Sequence, residues 1–335
     1  MAAVYIREQG VMVTKQGECI AVVKGAHRLM ERPIIGIDAL AVFGNVQISS
    51  QAIALLLEHG IDISFFTYSG KYLGHVSADT SKNIFLRMSQ YDLYMENEKR
   101  MAMARIIVEA KIKNQLSIIK SRRWESDFDW RADVAEIEKN LKKLPEKKDG
   151  NGIRGIEGIC SNIYFHSYAQ MFSCDFKFEK RSRRPPRNPI NVILSLAYTL
   201  LTKEVVNALE AESFETSLGF LHGIRYGRKS LALDMVEEFR QPAADRLVLK
   251  VFNKRMLTEC DFDVPEEGVV NLTEEGFKRF CTAYERWMNG MDTNSGEKSF
   301  RSRIREQGAK LKRTIMDGTA YEPYIWKKED VRGEL

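Results

Sequence analysis

The sequence predicts an α+β protein, a small β-rich N-terminal domain followed by a larger all-α domain, on three observations. Short β-branched runs separated by glycines fill the first eighty residues, long apolar repeats of helical period fill the remainder, and the change falls in a polar stretch at Ala78–Asn83. The chain is accordingly divided into residues 1–80, a linker at 81–88, a helical unit at 89–320 and a C-terminal tail at 321–335.

The strands are expected at Val4–Ile6, Val11–Thr14, Cys19–Val23, Ile34–Ile37, Leu40–Phe43, Val46–Ile48, Ile61–Phe66 and Tyr72–Val76, with Gly10, Gly17, Gly25, Gly44 and Gly70 at the turns. One helix interrupts them: Ser49 or Ser50 caps it, Ile53, Leu55, Leu56 and Leu57 form its apolar side, and Gly60 ends it. Helical periodicity then covers Ile84–Lys120, Asp133–Leu144, Gly155–Phe172, Pro189–Glu210, Lys229–Arg240, Ala243–Phe252, Thr273–Met288 and Glu297–Met316.

Composition narrows the class. The 335 residues are 44% apolar and 29% charged with only eight prolines, which excludes a disordered or collagen-like chain. The most apolar windows, Ala52–Leu57 and Val192–Leu201, are shorter than the roughly 20 residues of a membrane span. The N-terminus lacks the pattern of a secretory signal, so no membrane and a cytoplasmic location are expected. Five scattered cysteines without a C-x-x-C pair read as buried thiols rather than a disulfide frame or zinc site.

The net charge of +5 is uneven. Residues 1–80 hold six Lys+Arg and seven Asp+Glu, so the excess belongs to the helical part. It concentrates in 177–187, KFEKRSRRPPR, and in 297–313, which hold six and seven basic residues against one and two acids. The first, broken by Pro185-Pro186, reads as an extended loop in which Lys180, Arg181, Arg183, Arg184 and Arg187 could cradle phosphates. Arg225, Arg228 and Lys229 extend that field. The second reads as the solvated face of a helix, with Phe300, Ile304 and Leu311 on its buried side.

Three segments could carry chemistry. His27, His59, His75 and His166 read as structural, but His222 stands in GFLHGIRYGRKS, between an apolar start and a glycine-bearing basic stretch. Twelve residues later Asp234 and Glu237 are three apart on one helix face, where two carboxylates repel unless a cation lies between them; Arg228 and Arg240 could also supply that charge. Glu157 lies in NGIRGIEGICSNIYF among Gly152, Gly155 and Gly158, either as a site acid or as a helix-dipole partner. Together Glu157, His222, Asp234 and Glu237 offer carboxylate oxygens and one imidazole, a hard donor set suited to Mg²⁺ or Mn²⁺ and to phosphoryl transfer. Two other functions fit the same residues: a non-catalytic helical nucleic-acid-binding protein, and a hydrolase of small phosphoesters.

The ordered segments AVFGNVQISSQAIALLLEHGIDISFFTYSGKYLG, GIRGIEGICSNIYF, RRPPRNPINVILSLAYTLL and GFLHGIRYGRKSLALDMVEEFRQPAAD resemble the CRISPR-associated integrase family, the metal-dependent endonucleases of spacer acquisition, over residues 4 to about 325. The RRPP and LALDMVEEFRQP forms are most similar to members serving type I-C systems. The resemblance implies that Glu157, His222 and Glu237 are metal ligands, that Asp234 lies in the site without being a principal ligand, and that the reaction is insertion of a short DNA fragment into a repeat array. It also implies a homodimer formed through the N-terminal domain, a small ferredoxin-like partner bridging two dimers, and an iron–sulfur nuclease as an assistant. Asn188 stands where relatives usually carry Asp before the proline, a change between two good helix caps.

Overall fold

The computed structural model describes residues 2–78, 83–122, 124, 128–182, 188–266, 269–291 and 298–327. The α+β reading holds. Two four-stranded sheets form in the first 76 residues, and helices dominate thereafter. One sheet has the order β1 (Ala2–Ile6), β5 (Ile37–Phe43), β7 (Asp62–Phe66), β8 (Tyr72–Val76); its first three strands run parallel and β8 antiparallel. The other runs β4 (His27–Pro33), β3 (Cys19–Lys24), β2 (Val11–Gln16), β6 (Val46–Ile48). Gln16 pairs with Cys19 across a tight turn, and Gly17 takes the left-handed conformation that it requires. Helix α1 (Ser50–Glu58), capped by the Ser49 side chain on Ala52 N, closes the apolar core of this unit with Ala52, Leu55 and Leu56.

Three sequence expectations change here. The run Ile34–Ile37 is a turn closed by Ile37 N on Ile34 O, and the strand lies before it at His27–Pro33. That strand is an exposed edge whose residues are mostly polar, so no alternation marks it. The expected helix Ile84–Lys120 is two helices, α2 (Ile84–Met95) and α3 (Asn97–Ser121), parted by extended backbone at Glu96. Among the thiols, Cys260 is exposed, whereas Cys160 and Cys281 are buried.

The helical part continues with α4 (Trp130–Leu141), α5 (Gly150–Ala169), α6 (Pro189–Ala211), α7 (Ser230–Val236), α8 (Arg246–Asn253), the unexpected hairpin β9 (Phe262–Glu266) and β10 (Val269–Leu272), α9 (Glu274–Met288) and α10 (Phe300–Asp317). Asn188 caps α6 by accepting from Asn191 N at 2.8 Å, which keeps the capping role expected of it. By length and composition α6 could cross a membrane, but 67% of its apolar window is buried in the fold, where it packs against α7, α8 and α10. The two parts are joined through packed rings: Phe43 stacks on Phe66 with centroids 4.6 Å apart and meets the edge of Phe277 of α9 at 4.8 Å. Buried Arg7 of the N-terminal unit donates to the carbonyls of Tyr68, Leu272 and Thr273.

The expected helix Lys229–Arg240 stops at Val236. Pro242 has no N–H for the carbonyl of Glu238, and the chain passes through a wide π-type turn over Arg240–Asp245. Asn114 Nδ2 of α3 donates to that Glu238 carbonyl at 2.8 Å. Asp245, at the end of the turn, is buried; Tyr164 donates to its carboxyl at 2.9 Å, Tyr198 also donates to it, and Tyr168 donates to its backbone oxygen. Burial pushes this carboxyl up to about 6 despite the two phenol donors.

A carboxyl raised on folding weakens the fold as it ionises, so this contribution declines as pH rises from about 4 towards 6. Asp245→Asn lacks that titration. The stability of the wild type relative to Asp245→Asn is therefore expected to fall by about 2 kcal/mol between pH 4 and pH 7, measured by urea unfolding. A pH-independent difference would contradict the assignment.

Candidate active site

The loop between α6 and α7 carries His222, and Asp234 of α7 shapes it. Asp234 is buried and accepts from the backbone N–H groups of Phe220, Leu221 at 2.9 Å and His222 at 3.0 Å. His222 Nδ1 lies 2.6 Å from the same carboxylate. An ionised carboxylate only accepts, so with Asp234 ionised Nδ1 carries the proton and a neutral ring keeps its lone pair on Nε2. Gly219 is required by close approach: a Cβ there would meet the Ser230 carbonyl carbon at 2.6 Å and Asp234 Oδ2 at 2.8 Å. Arg154 of α5 donates to Leu221 O at 3.0 Å, fixing the loop from the opposite side.

Glu157 lies within α5, which begins at Gly150 under an Asp149 cap, not at Gly155. It therefore sits about two turns in and is not a first-turn dipole partner. Its carboxylate is one-quarter exposed and accepts from Lys111 of α3 and from Ser161 Oγ at 3.3 Å. Glu237 caps the C-terminal end of α7 and is buried; Arg240 lies 3.0 Å from its Oε1 and Lys111 Nζ 2.8 Å from its Oε2. Burial opposes ionisation of Glu237, yet Arg240 and Lys111 hold its carboxyl down at about 2.

Lys111 is thus the cation between two of the three sequence-predicted ligands. Asp234 and Glu237, three residues apart, do not share a partner as the spacing suggested: the first faces the His222 loop, the second Lys111 and Arg240. Among the described residues no three His, Cys, Asp or Glu side chains converge closely enough to hold an ion as they stand. The donor set still fits one. A buried ammonium already occupies the space between the two carboxylates. Lys111 Nζ, 2.8 Å away, is the only group that serves the buried Glu237 Oε2 among the described residues, so this oxygen has capacity left for a second positive partner.

The basic residues separate into two kinds. Lys180 and Arg225 are exposed, and Ile224 and Tyr226 stand out into solvent beside Arg225. Arg181 is a structural clamp: it donates to Asn191 Oδ1 at 2.9 Å and Ser195 Oγ at 3.0 Å and lies over the Tyr198 ring. Arg228 closes its own loop on Gly223 O and Ser230 Oγ, and Lys229 pairs with Glu210 at 3.3 Å. Arg183, Arg184 and Arg187 lie outside the described residues. In the other basic strip Arg301 is buried between Glu204 and Glu285, and Lys312 pairs with Glu212. Lys111 is the site residue that sequence reasoning did not single out; Arg240, expected there as a possible counter-charge for the Asp234 and Glu237 pair, does pair with Glu237.

The chain matches the family model described as CRISPR associated protein Cas1 over residues 4–286. It is 34% identical over 291 residues, 86% of this chain and 85% of the relative, to "CRISPR-associated endonuclease Cas1 3" of Thermus thermophilus. A Cas1 protein of Thermotoga maritima superposes with a TM-score of 0.84 at 27% identity, covering 96% of this chain and 99% of that one. A casposase bound to integration product shares the fold, with a TM-score of 0.84 at 22% identity over 99% of this chain and 95% of that one. With the family match covering most of the chain and the fold shared along nearly all of it, this protein belongs to the CRISPR-associated Cas1 family of endonucleases.

Proposed function

We propose that the chain is a metal-dependent DNA endonuclease and integrase of the adaptation stage of CRISPR immunity, with Glu157, His222 and Glu237 as the metal-binding residues and Mg²⁺ or Mn²⁺ as the ion. The observation that carries the site assignment is the buried ammonium of Lys111 between Glu157 and Glu237, a position built for positive charge. When bound, the ion would neutralise charge on a phosphodiester and favour the deprotonated form of an attacking hydroxyl. Asp234 holds the His222 ring and its loop, which leaves Nε2 available. Glu237 stays ionised across the physiological range because Arg240 and Lys111 compensate it.

In the joining reaction a bond forms between the 3′-oxygen of a short fragment and a repeat phosphorus, and the repeat's own P–O3′ bond breaks. The attacking hydroxyl loses a proton and the departing 3′-oxygen gains one. Water in place of the fragment's 3′-OH turns the same reaction into cleavage. That a casposase bound to integration product shares this fold supports the joining half of this reading.

Duplex DNA, as fragment and as repeat, is the partner that the exposed Lys180 and Arg225 suit. Self-association through the N-terminal domain belongs to the same proposal; α2, which follows that domain, exposes Ile84, Phe85, Met88, Tyr91 and Met95 along one stripe that a second copy could also cover. A small ferredoxin-like protein bridging two dimers, and an iron–sulfur nuclease in a type I-C-like setting, belong to the same proposal, as does a cytoplasmic location beside the DNA.

The test is an integration assay with a supercoiled repeat plasmid and a short duplex in Mn²⁺ or Mg²⁺. Joined product that disappears with EDTA is expected; hydrolysis of a chromogenic phosphodiester without any action on DNA would favour a small-phosphoester hydrolase. Replacing Arg183, Arg184 and Arg187 together with Ala is expected to weaken duplex binding and to reduce the slope of log affinity against log salt by about 2 to 3. Arg181→Ala, by contrast, is expected to lower the melting temperature, because its hydrogen bonds are internal. An unchanged salt slope in the triple variant would place the loop away from DNA.

A further inference from the structure

We infer that the C-terminal segment Tyr321–Trp326 is a strap that positions Glu237, so that Asn114 and Tyr321 are positioning residues for metal binding. The inference rests on the reading of Glu237 as a ligand.

Residues 237–239 lie between the end of α7 and the Pro242 turn, where no regular helix holds them. Their side chains face three ways. Glu237 meets Lys111 and Arg240, Glu238 is wholly buried under the strap, and Phe239 stacks on Tyr324 with ring centroids 5.1 Å apart and planes 12° apart. Glu238 accepts from Tyr321 OH at 2.6 Å, from Tyr324 N at 2.8 Å and from Gln307 Nε2 of α10 at 2.9 Å. Each flank of Glu237 on its C-terminal side is therefore fixed by the strap or by the helix beneath it.

Asn114 ties the strap to the site. It is fully buried on α3, three residues after Lys111 and hence one turn along the same face. Its Nδ2 donates to Glu238 O, the carbonyl that Pro242 leaves without a helical partner, and to Tyr324 O at 3.0 Å. Its Oδ1 accepts from Trp326 N at 2.8 Å. One amide thus joins the helix that carries Lys111, the turn that carries Glu237, and the strap. Arg246 over the Trp326 ring at 4.3 Å and Arg303 over Tyr324 at 5.2 Å anchor the strap's far side.

A strap of this kind acts by fixing a short turn that its own sequence leaves irregular. Loosening it changes where the Glu237 carboxylate points without removing any ligand, and small misplacements of a ligand weaken metal binding by about tenfold to a hundredfold.

The experiment titrates Mn²⁺ into the full-length protein without DNA and follows free Mn²⁺ by electron paramagnetic resonance. Wild type, Glu237→Ala, Asn114→Ala and Tyr321→Phe are compared, with folding checked by circular dichroism. Asn114→Ala and Tyr321→Phe are expected to bind Mn²⁺ at least fivefold more weakly than wild type, and added Mn²⁺ is expected to restore most of their DNA joining. Tyr321→Phe, which removes one hydroxyl, serves if Asn114→Ala does not fold. Folded strap variants with wild-type Mn²⁺ affinity, alongside a Glu237→Ala protein that has lost it, would overturn the strap and leave the site intact. Glu237→Ala with wild-type affinity would instead overturn the ligand assignment.

Discussion

Glu157→Gln is expected to lower DNA cutting and joining in Mn²⁺ by about a thousandfold or more while duplex affinity without metal stays within about twofold of wild type. The magnitude follows from losing a charged ligand where the ion supplies several kcal/mol of transition-state stabilisation, at about 1.4 kcal/mol for each tenfold in rate. Glu157 gives a cleaner reading than Glu237. Its carboxylate is one-quarter exposed, so Gln can be solvated there, whereas Glu237→Gln leaves Lys111 and Arg240 buried beside a neutral group. Joining by Glu157→Gln at wild-type rate would remove Glu157 from the site. Loss of activity together with loss of duplex binding would instead favour a structural acid in a nucleic-acid-binding protein. The two measurements belong in one experiment, a plasmid assay and a filter-binding titration on the same preparation.

The sequence carries the outline of the fold because its elements are locally encoded. Ser49 caps α1 and Gly17 turns β2 into β3, as their residue types dictate. The edge strand His27–Pro33 is hidden because it is exposed along nearly its whole length, and the hairpin β9–β10 because its strands are too short to stand out: β10 alternates exposed and buried residues over only four positions. At the site, the acids and His222 stand out by type, but their partners do not. Lys111 lies 46 residues from Glu157 on a helix rich in lysine, and only the packing of α3 on α5 and α7 makes it their counter-ion. The orientation of Asp234 towards the His222 loop depends on Gly219, whose need for close approach appears only once the loop and α7 are in contact. The strap is hidden for the same reason: Tyr321 and Trp326 meet partners 83 and 212 residues away, a distance that no local pattern reports. Pro242 is the partial exception, because a proline inside a helical pattern announces a break, although not which side chain takes the carbonyl it leaves.

Lys111→Met is expected to destabilise the metal-free protein and at the same time to increase its stabilisation by Mn²⁺. The side chain is 5% exposed and in contact with both carboxylates, and methionine keeps its length without its charge. Without the ammonium, Glu157 and Glu237 face each other with Arg240 as the remaining cation on Glu237, so the metal-free fold is expected to lose about 3 kcal/mol. In the wild type an incoming ion has to displace the ammonium, and its stabilisation is reduced by the ion pairs it breaks. In Lys111→Met the carboxylates have no such occupant, and the ion binds a site whose repulsion it relieves. Stabilisation follows RT ln(1 + [L]/Kd), so a tenfold lower Kd adds about 1.4 kcal/mol at saturating Mn²⁺. The measurement is thermal unfolding of both proteins with EDTA and with millimolar Mn²⁺. A lower melting temperature in EDTA and a larger Mn²⁺-induced rise in Lys111→Met are the expected pair. Equal rises in the two proteins would show that the ion does not take the place of the ammonium, and the position between Glu157 and Glu237 would then be an internal ion pair alone.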